Sequence, residues 1–299
     1  MNIAFVNLVA CALIACAQAP YRPSTVTWEQ ISGRAASPAD HRIHYREDAL
    51  TFGDLRLPRG AGPHPVAVVI HGGCWQSEYD LKYMSHLSAA LSQAGIATWT
   101  LEYRRIGHDG GGWTGTFEDV ARGTDYVRTL AQKFPLDVNR VVVIGHSAGG
   151  HLALWLAARR NLPRESPLFI SNPLLLRGVV SLAGITDLRK YGAGAGSCNA
   201  SVTPLLGGKP NDVPSRYAQT NPSELLPLGV PVRLIHGALD PYVPVEQSRD
   251  FAALARNKGD NASFLLVPEI AHFDLVAPFA PVWERIQNEI TSLVSQKGH

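Results

Sequence analysis

Organised charge is what this sequence has least of. Of its 299 residues 17% are charged, the formal net charge is +2, and no more than two lysines or arginines stand side by side. That excludes the basic footprint of a nucleic-acid-binding protein. Cysteine is scarce too, with four residues, of which only Cys74 and Cys198 lie beyond the first twenty. The histidines are scattered without close ligand spacing, so no zinc pattern, other metal site or cofactor is expected. Internal repeats and long low-complexity tracts are absent, which excludes a repeat array and a disordered chain. What is present is a 45% hydrophobic composition and enough length for one large α/β domain with a substantial core.

The first twenty residues, MNIAFVNLVACALIACAQAP, contain no charged side chain and are mostly apolar. They read as an export signal, placing the protein in the periplasm or on a membrane. Leu13-Ile14-Ala15-Cys16 resembles a bacterial lipoprotein signal, in which Cys16 would carry the lipid anchor. Ordinary cleavage after Ala17-Gln18-Ala19 and a single-spanning anchor are the alternatives. In an oxidising compartment Cys74 and Cys198 can pair as one disulfide, or remain two free thiols.

Residues 21–40 read as an irregular lead-in, and 41–299 as a single catalytic domain. Two short alternating stretches within 42–57 suit antiparallel edge strands. After them, apolar runs beginning at Pro65, Ile96, Val141, Val179, Val232 and Ala262 suit strands covered on both faces. Helical spacing is predicted over 79–94 with Gly95 as stop, from Thr116 with Asp119 as capping residues, over 245–258, and over 281–294. Residues 186–229, rich in Gly, Pro, Ser and Asn, break the rhythm and read as a small cap-like insertion. The fold class is therefore α/β, a mostly parallel sheet with helices on both faces.

Chemistry concentrates where strands end. Gly145-His146-Ser147-Ala148-Gly149 follows an apolar strand and opens a helix, fitting the turn that exposes a nucleophilic serine. In parallel sheets, ligands bind beyond the carboxyl ends of the strands, so Ser147 predicts partners in neighbouring strand-end loops. Asp240 and His272 stand there, in the chain order serine, acid, histidine. His272 would move the Ser147 proton and Asp240 would orient the imidazole; Asp187 is a rival acid, and Asp274 sits too close to His272 in sequence. The loop His71-Gly72-Gly73-Cys74-Trp75 supplies small residues whose amides, with that of Ala148, could receive an oxyanion. The hole is assigned to Gly73, Cys74 and Ala148, with His71 ordering the loop. Trp75 either walls an acyl pocket or packs beneath the loop. Trp113, Tyr242 and Tyr191 are further candidates for aromatic walls, with selectivity placed in 107–113 and 186–229. Glu102, Arg104 and Arg105 read as ion pairs at a strand end.

These motifs together resemble the α/β-hydrolase superfamily, closest to its esterase and arylformamidase (kynurenine formamidase-like) branch, whose oxyanion loop is His-Gly-Gly-x-Trp. The resemblance covers about residues 50–295 in motif order. It implies a serine hydrolase of small or medium acyl esters acting through an acyl-enzyme, with an aromatic formamide, an exopeptidase substrate or mere ligand binding as other readings.

Overall fold

The computed structural model describes residues 25–194 and 196–295. The export-signal, cleavage-site and Cys16 lipid-anchor expectations lie outside the described residues. Within them, no helix is long and apolar enough to cross a membrane.

Eight strands form one sheet: β1 (His41–His44), β2 (Phe52–Arg56), β3 (His64–Ile70), β4 (Ala97–Leu101), β5 (Leu136–His146), β6 (Gly178–Leu182), β7 (Val232–Gly237) and β8 (Ala262–Val267). Their order is β1-β2-β4-β3-β5-β6-β7-β8. β1 pairs antiparallel with β2, and β2 with β4; every later pairing is parallel. The helices are α1 (Trp28–Ser32), α2 (Ser85–Gln93), α3 (Gly115–Asp125), α4 (Val127–Leu130), α5 (Ala148–Ala158), α6 (Leu188–Ala193), α7 (Val202–Leu206), α8 (Pro214–Thr220), α9 (Val245–Asn257) and α10 (Trp283–Ser295). α6, α7 and α8 occupy the insertion.

The unbroken apolar runs follow from the sheet being covered twice. Side chains alternate along a strand, so Val66, Val68 and Ile70 of β3 join a core with Phe117, Leu152 and Phe251 from α3, α5 and α9. Ala67 and Val69 join a second core with Leu87, Leu91, Ile286 and Ile290 from α2 and α10. Both faces of a central strand must then be apolar.

Several local expectations need correction. The helix expected from 79 starts as a 3-10 turn, Leu81–Met84, capped by Asp80 through the Lys82 amide, and Tyr79 stays in the preceding loop. Thr116 and Asp119 do not cap α3. The Thr116 hydroxyl donates to the Arg104 carbonyl at 2.6 Å, and the Asp119 carboxylate is taken by the Arg104 guanidinium at 2.7 and 2.8 Å. Tertiary partners outbid the local cap. The lead-in is not wholly irregular either, since α1 carries a complete capping box between Thr27 and Gln30.

α5 is buried along its whole length, and the insertion serves its polar groups. Trp155 Nε1 donates to the Gln219 carbonyl at 2.9 Å, and His151 Nε2 to that of Thr220 at 2.8 Å. Burial pushes the His151 pKa down to about 4, and its Nδ1 has no partner among the described residues. The imidazole is therefore neutral in the fold, whereas in the unfolded chain it takes up a proton near pH 6.5. Stability present above that pH is lost as the pH falls towards 4, by about 3 kcal/mol from this group. Urea unfolding at pH 7 and pH 4.5 should show His151→Phe losing less stability between the two than the native protein. An identical loss in both would remove His151 as the cause.

Candidate active site

Four loops that leave the carboxyl ends of β3, β5, β7 and β8 meet at one edge of the sheet, where open α/β sheets hold their ligands. They bring Gly73 and Cys74, Ser147, Asp240 and His272 together. Ser147, Gly73, Cys74 and His272 line one cleft of about 410 Å³.

Ser147 sits between the end of β5 and the first residue of α5 with φ 57° and ψ −123°. A residue with a Cβ is rarely held at positive φ, and such strain concentrates at functional sites. The turn is enforced by close approach: a Cβ on Gly149 would lie 2.3 Å from the Ile70 carbonyl oxygen. Ala148 is the first residue of α5, so its amide has no acceptor within the helix.

His272 follows β8, and its Nδ1 donates to Asp240 Oδ2 at 2.6 Å. This leaves Nε2 as the ring nitrogen available to the cleft. The carboxylate is fixed from several sides: Oδ1 accepts the amides of Tyr242 at 2.8 Å and Val243 at 3.0 Å, and His236 Nε2 lies 3.3 Å from Oδ2. Burial alone would raise the Asp240 pKa, but hydrogen bonds from His236, His272 and the Val243 amide hold it far below the carboxylate range. A permanently ionised carboxylate behind an imidazole fixes the tautomer and favours the cation when the ring takes a proton. Asp187 does something else: it caps α6 through the Arg189 and Lys190 amides at 3.0 and 3.1 Å. Asp274 accepts the amides of Ala271 and Val26 and does not meet the imidazole nitrogens.

The loop after β3 presents Gly73 at φ +99°, where a Cβ would strike Tyr79 at 2.3 Å. Among the described residues no backbone acceptor takes the amides of Gly73 and Cys74. Cys74 is bonded to Cys198 of the insertion, with Cα atoms 5.0 Å apart, so a disulfide ties two walls of the cleft. Behind the loop His71 is fully buried, stacks on Tyr103 at 4.4 Å and has its Nδ1 2.8 Å from the Gly72 carbonyl. Glu102 lies 3.2 Å from His71 Nε2 and pairs with Arg105. Burial would raise the Glu102 pKa, yet His71 and Arg105 keep it well below its usual range. Arg104 pairs with Asp119 instead. These ions are structural and none lines the cleft.

A hydrogen-bond chain crosses the site that sequence reasoning missed. The Gly72 amide donates to the Tyr83 hydroxyl at 2.6 Å, and that hydroxyl lies 3.0 Å from His146 Nδ1. His146 Nε2 lies 3.1 Å from the His272 carbonyl. Burial, with the His272 ring beside it, pushes the His146 pKa well down, so the ring is neutral. One orientation satisfies every group: Tyr83 donates to Nδ1, and Nε2–H donates to the carbonyl. No sequence pattern marks Tyr83. Nor does any mark His236, which lies in β7 while Asp240 follows in the turn after it.

The cleft wall is aromatic: Trp28, Tyr79, Tyr83, Tyr242 and Phe273 line it. Of the wall residues expected from sequence, only Tyr242 is among them. Trp75 is fully buried beneath the loop, edge-on to His151 at 5.4 Å. Trp113 packs against Phe117 at 6.3 Å, under the Arg216 guanidinium. Tyr191 is buried and its hydroxyl accepts the Cys198 amide at 3.0 Å. From the insertion Ser197 and Cys198 reach the cleft; the 107–113 loop contributes nothing to its lining.

The sheet order and strand-end cleft define a protein of the α/β-hydrolase superfamily. The model of the BD-FAE family matches residues 54–254. The chain belongs to that family, hydrolases related to esterases and to kynurenine formamidase. Esterase LipQ of Mycobacterium tuberculosis is 27% identical over 221 residues, covering 71% of this chain and 51% of that protein. Kynurenine formamidase of Drosophila melanogaster is 25% identical over 257 residues, covering 83% of this chain and 78% of that protein. A truncated carbohydrate esterase from gut microbiota superposes with a TM-score of 0.75 at 22% identity, over 87% of this chain and 98% of that one. The chain spans about half the length of the mycobacterial and plant relatives it matches.

Proposed function

We propose that the protein is a serine-dependent carboxylic ester hydrolase for small to medium acyl esters. The observation that carries this reading is the 2.6 Å contact of His272 Nδ1 with the buried Asp240 carboxylate, in a cleft that Ser147 shares at positive φ. Ser147 Oγ attacks the ester carbonyl carbon while its proton passes to His272 Nε2. The carbonyl π pair moves to oxygen, where the amides of Gly73, Cys74 and Ala148 receive the charge. The intermediate collapses, the carbon–oxygen bond breaks, and His272 returns the proton to the departing alkoxide. Water, deprotonated by the same imidazole, then cleaves the acyl-enzyme to give the acid and restore the serine.

The likeness to kynurenine formamidase favours a second reading, cleavage of an aromatic N-formyl amide by the same groups. The cleft lining argues for esters: among the described residues no lysine or arginine contributes to it, and Glu29 is the one carboxylate that does. N-formylkynurenine carries an α-carboxylate that such a wall would not neutralise. kcat/KM on a p-nitrophenyl ester series should exceed that on N-formylkynurenine by about tenfold or more. A clear preference for the formamide would replace the ester reading.

A further inference from the structure

The family match begins at residue 54, yet a segment before it closes one side of the cleft. Trp28 and Glu29 of α1 line the cleft together with Ser147 and His272. The segment is fastened at several points. The Val26 amide donates to Asp274 Oδ2 at 3.1 Å, Ile31 is 1% exposed in the second core, and His86 Nε2 lies 2.9 Å from the Arg34 carbonyl. Asp274 Oδ2 also accepts the Ala271 amide at 3.0 Å, so the lead-in and the loop that carries His272 hang on one carboxylate.

Trp28 itself is half-buried. Its ring stands edge-on to Tyr79 and Tyr83 and tilted to Phe273, each 5.5 Å away between centroids. Three aromatic neighbours hold the indole in place; part of the residue packs against the second core and part lines the cleft. A side chain wanted only to anchor α1 would bury its indole in the core, as Ile31 buries its side chain. A large flat group fixed at a cleft wall is suited to an apolar, ring-sized portion of a ligand.

We propose that Trp28 is a specificity-determining residue, the wall that receives an apolar ring-bearing portion of the substrate. This rests on the ester-hydrolase reading above. The lead-in is then part of the active site and not a tether to it.

The test compares ethyl acetate, ethyl benzoate and benzyl acetate by pH-stat titration, which places the ring in neither part, in the acyl part or in the alcohol part. Trp28→Ala should lower kcat/KM for at least one ring-bearing ester by about tenfold, mainly through KM, and leave ethyl acetate within about twofold. Trp28→Phe should recover most of the loss. If the alanine variant does not fold, Trp28→Leu, apolar but not planar, carries the same comparison. An equal loss on all three esters would make Trp28 a purely structural anchor and overturn the proposal. A gain on the ring-bearing esters would make it a barrier and overturn it equally. If the native protein turns over none of the three above a Ser147→Ala blank, the ester reading fails first, and the proposal with it.

Discussion

Ser147→Ala lowers kcat on a short p-nitrophenyl ester by about 10⁴- to 10⁶-fold, with the thermal midpoint nearly unchanged. The size of the effect follows from the chemistry proposed. Without Oγ there is no acyl-enzyme, and the imidazole of His272 has no nucleophile to deprotonate. What survives is the modest catalysis that oxyanion donors and substrate positioning give a bound water. Stability is spared because, among the described residues, no hydrogen bond of the Ser147 hydroxyl holds the fold: the residue lines the cleft, while the turn around it is fixed by Gly149 against β3. Alanine carries the same Cβ as serine and meets the same backbone strain. Initial-rate kinetics on the pure variant, with a melting curve beside them, measure both halves. Turnover close to the native value from clean protein would sink Ser147 as the nucleophile.

Asp240→Asn should be nearly as damaging, with kcat down by about 10⁴-fold. The isosteric amide can keep its oxygen on the amides of Tyr242 and Val243, where Oδ1 now accepts two hydrogen bonds. That turns its NH₂ group towards His272. A donor facing Nδ1 makes that nitrogen an acceptor and moves the ring proton to Nε2, the nitrogen needed as a base. The ring is then in the wrong tautomer, and the carboxylate that would stabilise its cation is gone. Asp187→Asn supplies the contrast: that side chain caps α6, and kcat should change by less than about twofold. Steady-state kinetics on both variants decide the matter; an unaffected Asp240→Asn enzyme would require a different orienting group.

The sheet and the loops of the candidate site were legible for a common reason. A strand covered on both faces must be apolar throughout, so 66–70 and 141–144 announce themselves, and a serine between small residues at such a strand's end leaves few structural uses. β5 nonetheless begins at Leu136, five residues before its apolar run: Leu136 pairs with His64 and Val141 with Val66, and the register shifts across the polar residues between them. Side-chain destinations were less legible. Trp75 and Trp113 have the right character for a cleft wall, but tertiary packing sent both elsewhere, and nothing in their neighbours' sequence spacing records that. Thr116 and Asp119 match a capping pattern that Arg104 overrode. Trp28 was hidden by the brevity of α1, although Thr27 and Gln30 stand at the spacing of a capping box and marked a helix start.

For the proposed reaction, the chain of contacts from Gly72 through Tyr83 and His146 to the His272 carbonyl would bear on the barrier more than on binding. Dipoles that must swing into line while charge is building add their own reorganisation to the activation free energy; dipoles already locked do not. Here a phenol and an uncharged imidazole brace the loop beside Gly73 against the loop that carries His272. The variable position of the serine motif, filled by His146, thereby becomes a strut. In the chemistry proposed, much of the rearrangement that a solvent cage would undergo during each turnover is completed once, when the chain folds.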